Sequence, residues 1–151
     1  MRDCTMVVTG ASDRIGAAAA RSLSDLGAAV VVVGRSAAKT SAVAGKLRAD
    51  RYVADFAHLD QVRQLARQLT AGYPRIDVLV NDAGLIATGT RTITGDGQEL
   101  TFQVNHLPPF LLTTLLREPL THSQARVITT ASSACTSRQA SGRSPGGPAP
   151  R

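Results

Sequence analysis

The chain has 151 residues, enough for one domain with a sizeable core and too few for two. Apolar residues make up 43% and aromatics 3%, with no Trp, so the core must be built from Ala, Val, Leu and Ile. The net charge of +6 collects towards the C-terminal end, where Arg126, Arg138, Arg143 and Arg151 follow the last acidic residue, Glu118. A nucleic-acid binder would carry a basic stripe on a recognition element, with aromatics or a known motif, and the sequence has neither.

Cys4 and Cys135 have no metal-ligand spacing, which points to a reduced setting and no metal site. The N-terminus "MRDCTMVVTG" runs straight into a strand, with no room for a signal peptide, and no apolar run approaches membrane-spanning length. The expectation is a soluble, cytoplasmic protein with no membrane partner.

Strands and helices alternate along the chain. Met6 to Val8 is a short apolar strand, and Ile15 to Leu26 is a helix with Ile15, Ala19, Leu23 and Leu26 on one face and Gly27 as its stop. "AVVVV", Ala29 to Val33, is a β-branched run suited to a strand covered on both faces. Ser36 can cap the next helix, which runs through Leu47. "RYVADF" is a third, shorter strand, and His58 to Thr70 is a helix with Leu59, Val62, Leu65, Ala66 and Leu69 at helical spacing. "IDVLVNDAG" is a fourth strand running into a turn. Gln98 to about Leu116 reads as a long helix, in which Pro108 and Pro109 predict a kink or break. "RVITT" is a fifth strand.

This alternation predicts an α/β fold: a Rossmann-like, doubly wound parallel sheet of about five strands in the order 3-2-1-4-5. The ligand crevice would lie at the carboxyl ends of strands one and four. Residues 1–136 are expected to form the domain, and 137–151 a disordered tail rich in Gly, Pro and Arg.

"TGASDRIG", Thr9 to Gly16, sits between the first strand and first helix. A glycine-rich turn there lets the backbone approach a pyrophosphate while the helix N-terminus offers free N–H groups. An ordinary strand-to-helix turn is the competing account, and placement between strand and helix favours the phosphate site. Arg35 follows strand two. An acidic residue there would select NAD, whereas Arg can pair with a 2′-phosphate, and no Asp or Glu lies between Asp25 and Asp50. The alternative is a solvated loop arginine.

The spacing Gly10-x-x-x-x-x-Gly16 after Thr9, with "NDAG" at Asn81 to Gly84 and "VNH" at Val104 to His106, resembles the short-chain dehydrogenase/reductase family. "ELTFQVNHLPPFLLTTLL" resembles its retinol-dehydrogenase-like and WW-domain-oxidoreductase-like branch, and the likeness runs from about Met6 to Ser133. The resemblance implies a Rossmann domain binding NADP, with NAD less favoured, and hydride transfer between that cofactor and an alcohol or carbonyl substrate.

It also implies roles for particular residues. Thr9, Gly10, Ser12, Arg14, Ile15 and Gly16 would form the cofactor turn. Arg14 stands where the family usually has Gly, so it is either a phosphate contact or a crowding change. Arg35 would meet the 2′-phosphate. Asp55 with Phe56 would contact adenine, or Asp55 is simply a carboxylate at a helix approach. Asn81 would tie neighbouring strands through its amide, and Ala83 and Gly84 would let the cofactor ribose pass. Asp82 is a mild departure from the family's Asn-Asn-Ala-Gly. Asn105 would hold a water in the proton relay at a helix distortion, and Ser133 would polarise the substrate carbonyl. His58, His106 and His122 read as structural or surface residues.

The family's Tyr-x-x-x-Lys does not follow Ser133. The only tyrosines are Tyr52 and Tyr73, and four residues on stand Phe56 and Asp77. The expectation is a C-terminally truncated or frameshifted relative with impaired chemistry, or a non-catalytic NADP(H)-binding module. Strand five would then be an exposed edge able to self-associate.

Overall fold

A computed structural model describes residues 4–87 and 89–131. In chain order the elements are β1 (Thr5–Thr9), α1 (Arg14–Asp25), β2 (Ala29–Gly34), α2 (Ala37–Leu47), β3 (Asp50–Val53), α3 (Leu59–Gly72), β4 (Val78–Asn81), α4 (Leu100–Leu115), α5 (Arg117–His122) and β5 (Arg126–Thr129). The strands form one parallel sheet in the order β3-β2-β1-β4-β5, as the alternation predicts.

The β-branched run of β2 is buried from Val30 to Gly34, and its side chains divide between two cores. Val31 and Val33, with Val7 and Leu79, meet α3 and α4 through Val62, Leu65, Leu69, Val104 and Leu112. Val30 and Val32, with Met6, Val8 and Val80, meet Ala20 of α1 and Ala44 of α2. A strand with helices on both sides has no solvent face, which is why β2 shows no polar alternation.

Helix α1 differs from its sequence pattern. Its buried residues are Gly16, Ala17 and Ala20, while Ile15 is 68% exposed and Leu26 is also exposed. The reason is steric. A Cβ on Gly16 would lie 2.5 Å from the Gly10 carbonyl oxygen, so the helix is rotated to set its bare glycine against the preceding turn. Ile15 is thereby turned outward.

Helix α4 runs from Leu100 to Leu115 through both prolines, without the expected break. Pro108 and Pro109 are buried, and the core residues Val104 and Leu112 anchor the helix on either side of them. Packing on both flanks offsets the two missing donors. A short helix, α5, follows where the pattern had shown only an end. Strand β3 is shorter than "RYVADF", because the Asp55 carboxylate accepts from the Ala57 N–H at 3.0 Å and turns the chain.

Helix starts follow local chemistry in most cases. Ser36 caps α2 by accepting from the Lys39 N–H, and Glu99 caps α4 by accepting from the Thr101 and Phe102 N–H groups at 2.9 and 2.8 Å. Helix α3 has no capping side chain of its own, and the Leu59 N–H donates instead to Asp96 at 3.0 Å.

Strand β5 lies at one margin of the sheet with all four residues exposed, including Val127 and Ile128. Among the described residues nothing pairs with its outer edge.

Candidate functional site

The carboxyl ends of β1, β2 and β4 meet around the turn that follows β1. Thr9 is fully buried, and its hydroxyl links two strands. Oγ1 donates to the Val80 carbonyl at 3.2 Å and accepts from the Asp82 and Ala83 N–H groups at 3.1 and 3.2 Å. A threonine suits this point because one oxygen both donates and accepts.

The turn itself is built for close approach. Gly10 has φ +70°, and a Cβ there would lie 2.8 Å from the Ala83 nitrogen. Ala11 donates its N–H to the Val33 carbonyl at 3.0 Å, laying the turn across the end of β2. There Ser12 abuts Gly34, whose added Cβ would lie 2.7 Å from the Ser12 hydroxyl oxygen. Asp13 ends the turn and caps α1, its Oδ1 accepting from the Arg14 N–H at 2.9 Å. Its Oδ2 accepts from Lys39 Nζ at 2.7 Å. The Lys39 ammonium, followed by the Arg14 N–H, holds the Asp13 carboxyl below its usual range.

Arg14 has φ +45°, the left-handed region that glycine enters freely and other residues enter at a cost. Its side chain is exposed at the N-terminus of α1, and so is Ile15. Arg35, directly after β2, is exposed and forms no ion pair among the described residues. Asp55 is half-buried. Its own N–H donates to Gln61 Oε1 at 2.9 Å. The Phe56 side chain is a core residue beside Val62 and Leu65, so its backbone is what it can offer a ligand.

At the end of β4, Asn81 is buried, and its amide ties the strand to a helix rather than to other strands. Nδ2 donates to Thr113 Oγ1 of α4 at 3.3 Å, while the neighbouring strand is held by backbone, Thr130 N–H to the Asn81 carbonyl at 3.0 Å. Asn81 Oδ1 is buried with no partner among the described residues. Asp82 bridges the strand ends by accepting from the Thr130 hydroxyl at 2.7 Å.

Ala83 and Gly84 continue into a turn clamped by Asn105. Its Oδ1 accepts from the Leu85 N–H and its Nδ2 donates to the Leu85 carbonyl, both at 2.8 Å. Pro109, four residues on, has no N–H for the Asn105 carbonyl, which therefore lacks its ladder partner. Pro108 withholds the partner of the Val104 carbonyl in the same way, and the helix is continuous through both prolines.

Two surface cavities, of about 580 and 450 Å³, lie along β3 and α3 and share no residue with this crevice. Arg51, Asp60 and three glutamines border the larger one. Tyr73 borders the smaller; burial, then its hydrogen bond to Asp50, raises its pKa. Neither cavity carries a glycine turn at a helix N-terminus, whereas the β1–β2–β4 crevice has glycines that leave room for a backbone-hugging ligand. The crevice is the better candidate on chemistry.

Thr9, Gly10, Ser12, Arg14, Ile15, Gly16, Asn81, Ala83 and Gly84 thus surround one crevice, and Asn105 supports it. Arg35 flanks it at the end of β2. Ser133 lies outside the described residues. The sequence signals do not single out Asp13, Lys39 or Thr113, because the Asp13–Lys39 and Asn81–Thr113 contacts span 26 and 32 residues.

The chain matches the family model for short chain dehydrogenases over residues 4–144. It is 45% identical over 138 residues to a protein of Streptomyces sp. (strain C5) provisionally assigned as the daunorubicin C-13 ketoreductase DnrU, covering 87% of this chain and 47% of that protein. It is 38% identical over 133 residues to mouse retinol dehydrogenase 14, covering 77% of this chain and 40% of that one. Among solved structures, a provisionally assigned short chain dehydrogenase from Escherichia coli CFT073 complexed with NADPH superposes with a TM-score of 0.78 at 28% identity, covering 92% of this chain and 62% of that one. The chain spans less than half the length of these two curated relatives.

Proposed function

This chain belongs to the short chain dehydrogenase family, and from that premise we propose that its β1–β2–β4 crevice binds NADP(H) in preference to NAD(H). The observation that carries the reading is the paired glycine approach. Gly10 is left-handed against Ala83, and Gly16 faces the Gly10 carbonyl at a distance that excludes any Cβ. Such a bare cradle at a helix N-terminus fits a pyrophosphate.

In this reading the turn from Gly10 to Gly16 holds the pyrophosphate, and Arg35 meets the adenosine 2′-phosphate. Asp55 and the Phe56 backbone border the adenine. Ile15, Ala83 and Gly84 line the path of the nicotinamide end, and Asn105 keeps that path in shape through Leu85. Bound there, the nicotinamide supplies or takes up a hydride for an alcohol/carbonyl pair. Ser133 would polarise the carbonyl, and the free Asn105 carbonyl would hold a water for the proton.

The 151 residues contain no Tyr-x-x-x-Lys, and we assign them the cofactor-binding part of that hydride transfer. General acid–base groups contribute on the order of 10²–10⁴-fold in rate. A non-catalytic NADP(H)-binding module is the second reading. Fluorescence titration with NADPH, followed by an assay of carbonyl reduction, separates the two. Binding without reduction supports the module, and failure to bind either dinucleotide overturns both readings.

We assign residues 1–136 to the cofactor domain and 137–151 to a tail, with the tail outside the described residues. Self-association through β5 is part of the proposal, because Val127 and Ile128 are exposed on an edge that nothing pairs with among the described residues. Sedimentation at rising concentration tests it; a strictly monomeric chain removes it. No helix among the described residues is long and apolar enough to cross a membrane.

A further inference from the structure

The rim of the crevice at the end of β2 carries more charge than its sequence motifs indicate. Arg35 follows the buried Gly34, and Lys39 stands in the first turn of α2. Across from them, on the glycine turn that rests on Gly34, stands Asp13. Of the two ion pairs among the described residues, Lys39–Asp13 alone joins separate elements, and it spans this rim. In a dinucleotide crevice the end of strand two is where the adenosine ribose lies, so the pair stands where a 2′-phosphate would arrive.

We propose that Lys39 recognises the 2′-phosphate of NADP(H) together with Arg35, and that Asp13 holds Lys39 in place until that phosphate takes it over. The proposal rests on the NADP(H) reading of the crevice and deepens it by naming a specificity residue.

Three features support it. First, Asp13 is engaged through both oxygens, Oδ1 with the Arg14 N–H and Oδ2 with Lys39. The α1 cap therefore keeps the carboxylate in position when Lys39 leaves. Second, both side chains are well exposed, 62% for Lys39 and 57% for Asp13, so water screens the pair and it is easily exchanged. A 2′-phosphate offers more charge and more acceptor oxygens than one carboxylate. Third, an unneutralised Asp13 would face the incoming phosphate with like charge, so Lys39 is needed at this rim even before it makes a contact. NAD(H), with a 2′-hydroxyl, gains from neither effect.

The test titrates the full chain with NADPH and NADH by fluorescence, for the wild type, Lys39→Ala, Lys39→Arg and Asp13→Asn. Lys39→Ala is expected to weaken NADPH about 10-fold, equivalent to about 1.4 kcal/mol, while NADH changes less than about twofold. Lys39→Arg should retain most of the NADPH affinity. Asp13→Asn keeps a capping side chain and should tighten NADPH several-fold relative to NADH. Thermal unfolding of each variant checks that the fold is intact, and a general structural defect would move both dinucleotides together. If Lys39→Ala affects NADPH and NADH alike, or neither, the role of Lys39 is overturned while the crevice reading stands. If Asp13→Asn weakens NADPH more than NADH, the hand-over from Asp13 is overturned. If the wild type binds neither dinucleotide, the crevice reading itself falls.

Discussion

Asn105 saturates the backbone of Leu85 from twenty residues away, accepting from its N–H and donating to its carbonyl at 2.8 Å each. The amide is matched to the task, since only Asn or Gln presents a donor and an acceptor side by side. The clamp holds the turn that follows Gly84, and a Cβ on Gly84 would lie 3.3 Å from Asn105 Oδ1.

Asn105→Ala removes both hydrogen bonds. At about 0.5–1.5 kcal/mol each, the expected loss is about 1–3 kcal/mol of stability. Asn105→Asp keeps the acceptor and loses the donor, so it should fall between the two. Chemical denaturation measures the series, and an unchanged midpoint in Asn105→Ala would show that the turn does not depend on the clamp.

Arg14 holds a left-handed backbone that costs a non-glycine residue about 1 kcal/mol or more. Arg14→Gly is therefore expected to raise the thermal midpoint, with part of the gain offset by the greater freedom of glycine in the unfolded chain. The same variant titrated with NADPH distinguishes a phosphate contact, which would be lost, from crowding, which would be relieved.

Gly16→Ala places a Cβ 2.5 Å from the Gly10 carbonyl oxygen and 2.8 Å from Asp82 Oδ2. The backbone contact cannot yield as a flexible side chain would, so α1 must shift off the turn. Overpacking of this kind costs about 1–3 kcal/mol, and it should abolish dinucleotide binding even where the fold survives. A variant with native NADPH affinity would contradict the cradle.

Acid should loosen the segment before α4. The Leu59 N–H and then Gln103 hold the Asp96 carboxyl below its ordinary 3.8, and the Thr101 and Phe102 N–H groups hold Glu99 below its ordinary 4.5. A carboxyl depressed on folding contributes stability that is present above its unfolded value and is lost as pH falls through the folded one. The denaturation midpoint should thus drop as pH falls below about 4.5, and the drop should be smaller in Asp96→Asn and Glu99→Gln. An equally steep acid limb in both variants would place its origin elsewhere.

Much of the fold can be read from short windows of sequence. Val30 to Val33 are buried on both sides of the sheet because four β-branched residues in a row have no polar face to show. Ser36 caps α2 because its partner N–H is three residues away. The glycine turn announces itself by its place between a strand and a helix. The packing face of α1 was not legible in this way. Its hydrophobic pattern favours Ile15 and Leu26, yet contact between Gly16 and the Gly10 turn sets the rotation and leaves both exposed. The prolines of α4 do not break the helix for a related reason, since burial of the flanking residues outweighs the local loss of two donors.

What the sequence alone determined is whatever covalent geometry and periodicity control: the alternation of elements, the parallel sheet they require, and the glycines of the turn between β1 and α1. What tertiary structure decided is which distant groups meet. Thr9 reaches Val80 across 71 residues, Asp96 caps α3 across 37, and Lys39 reaches Asp13 across 26. Such partners have no fixed spacing along the chain. They come together because strands of one parallel sheet all end on the same side, so the side chains that follow those ends share one crevice.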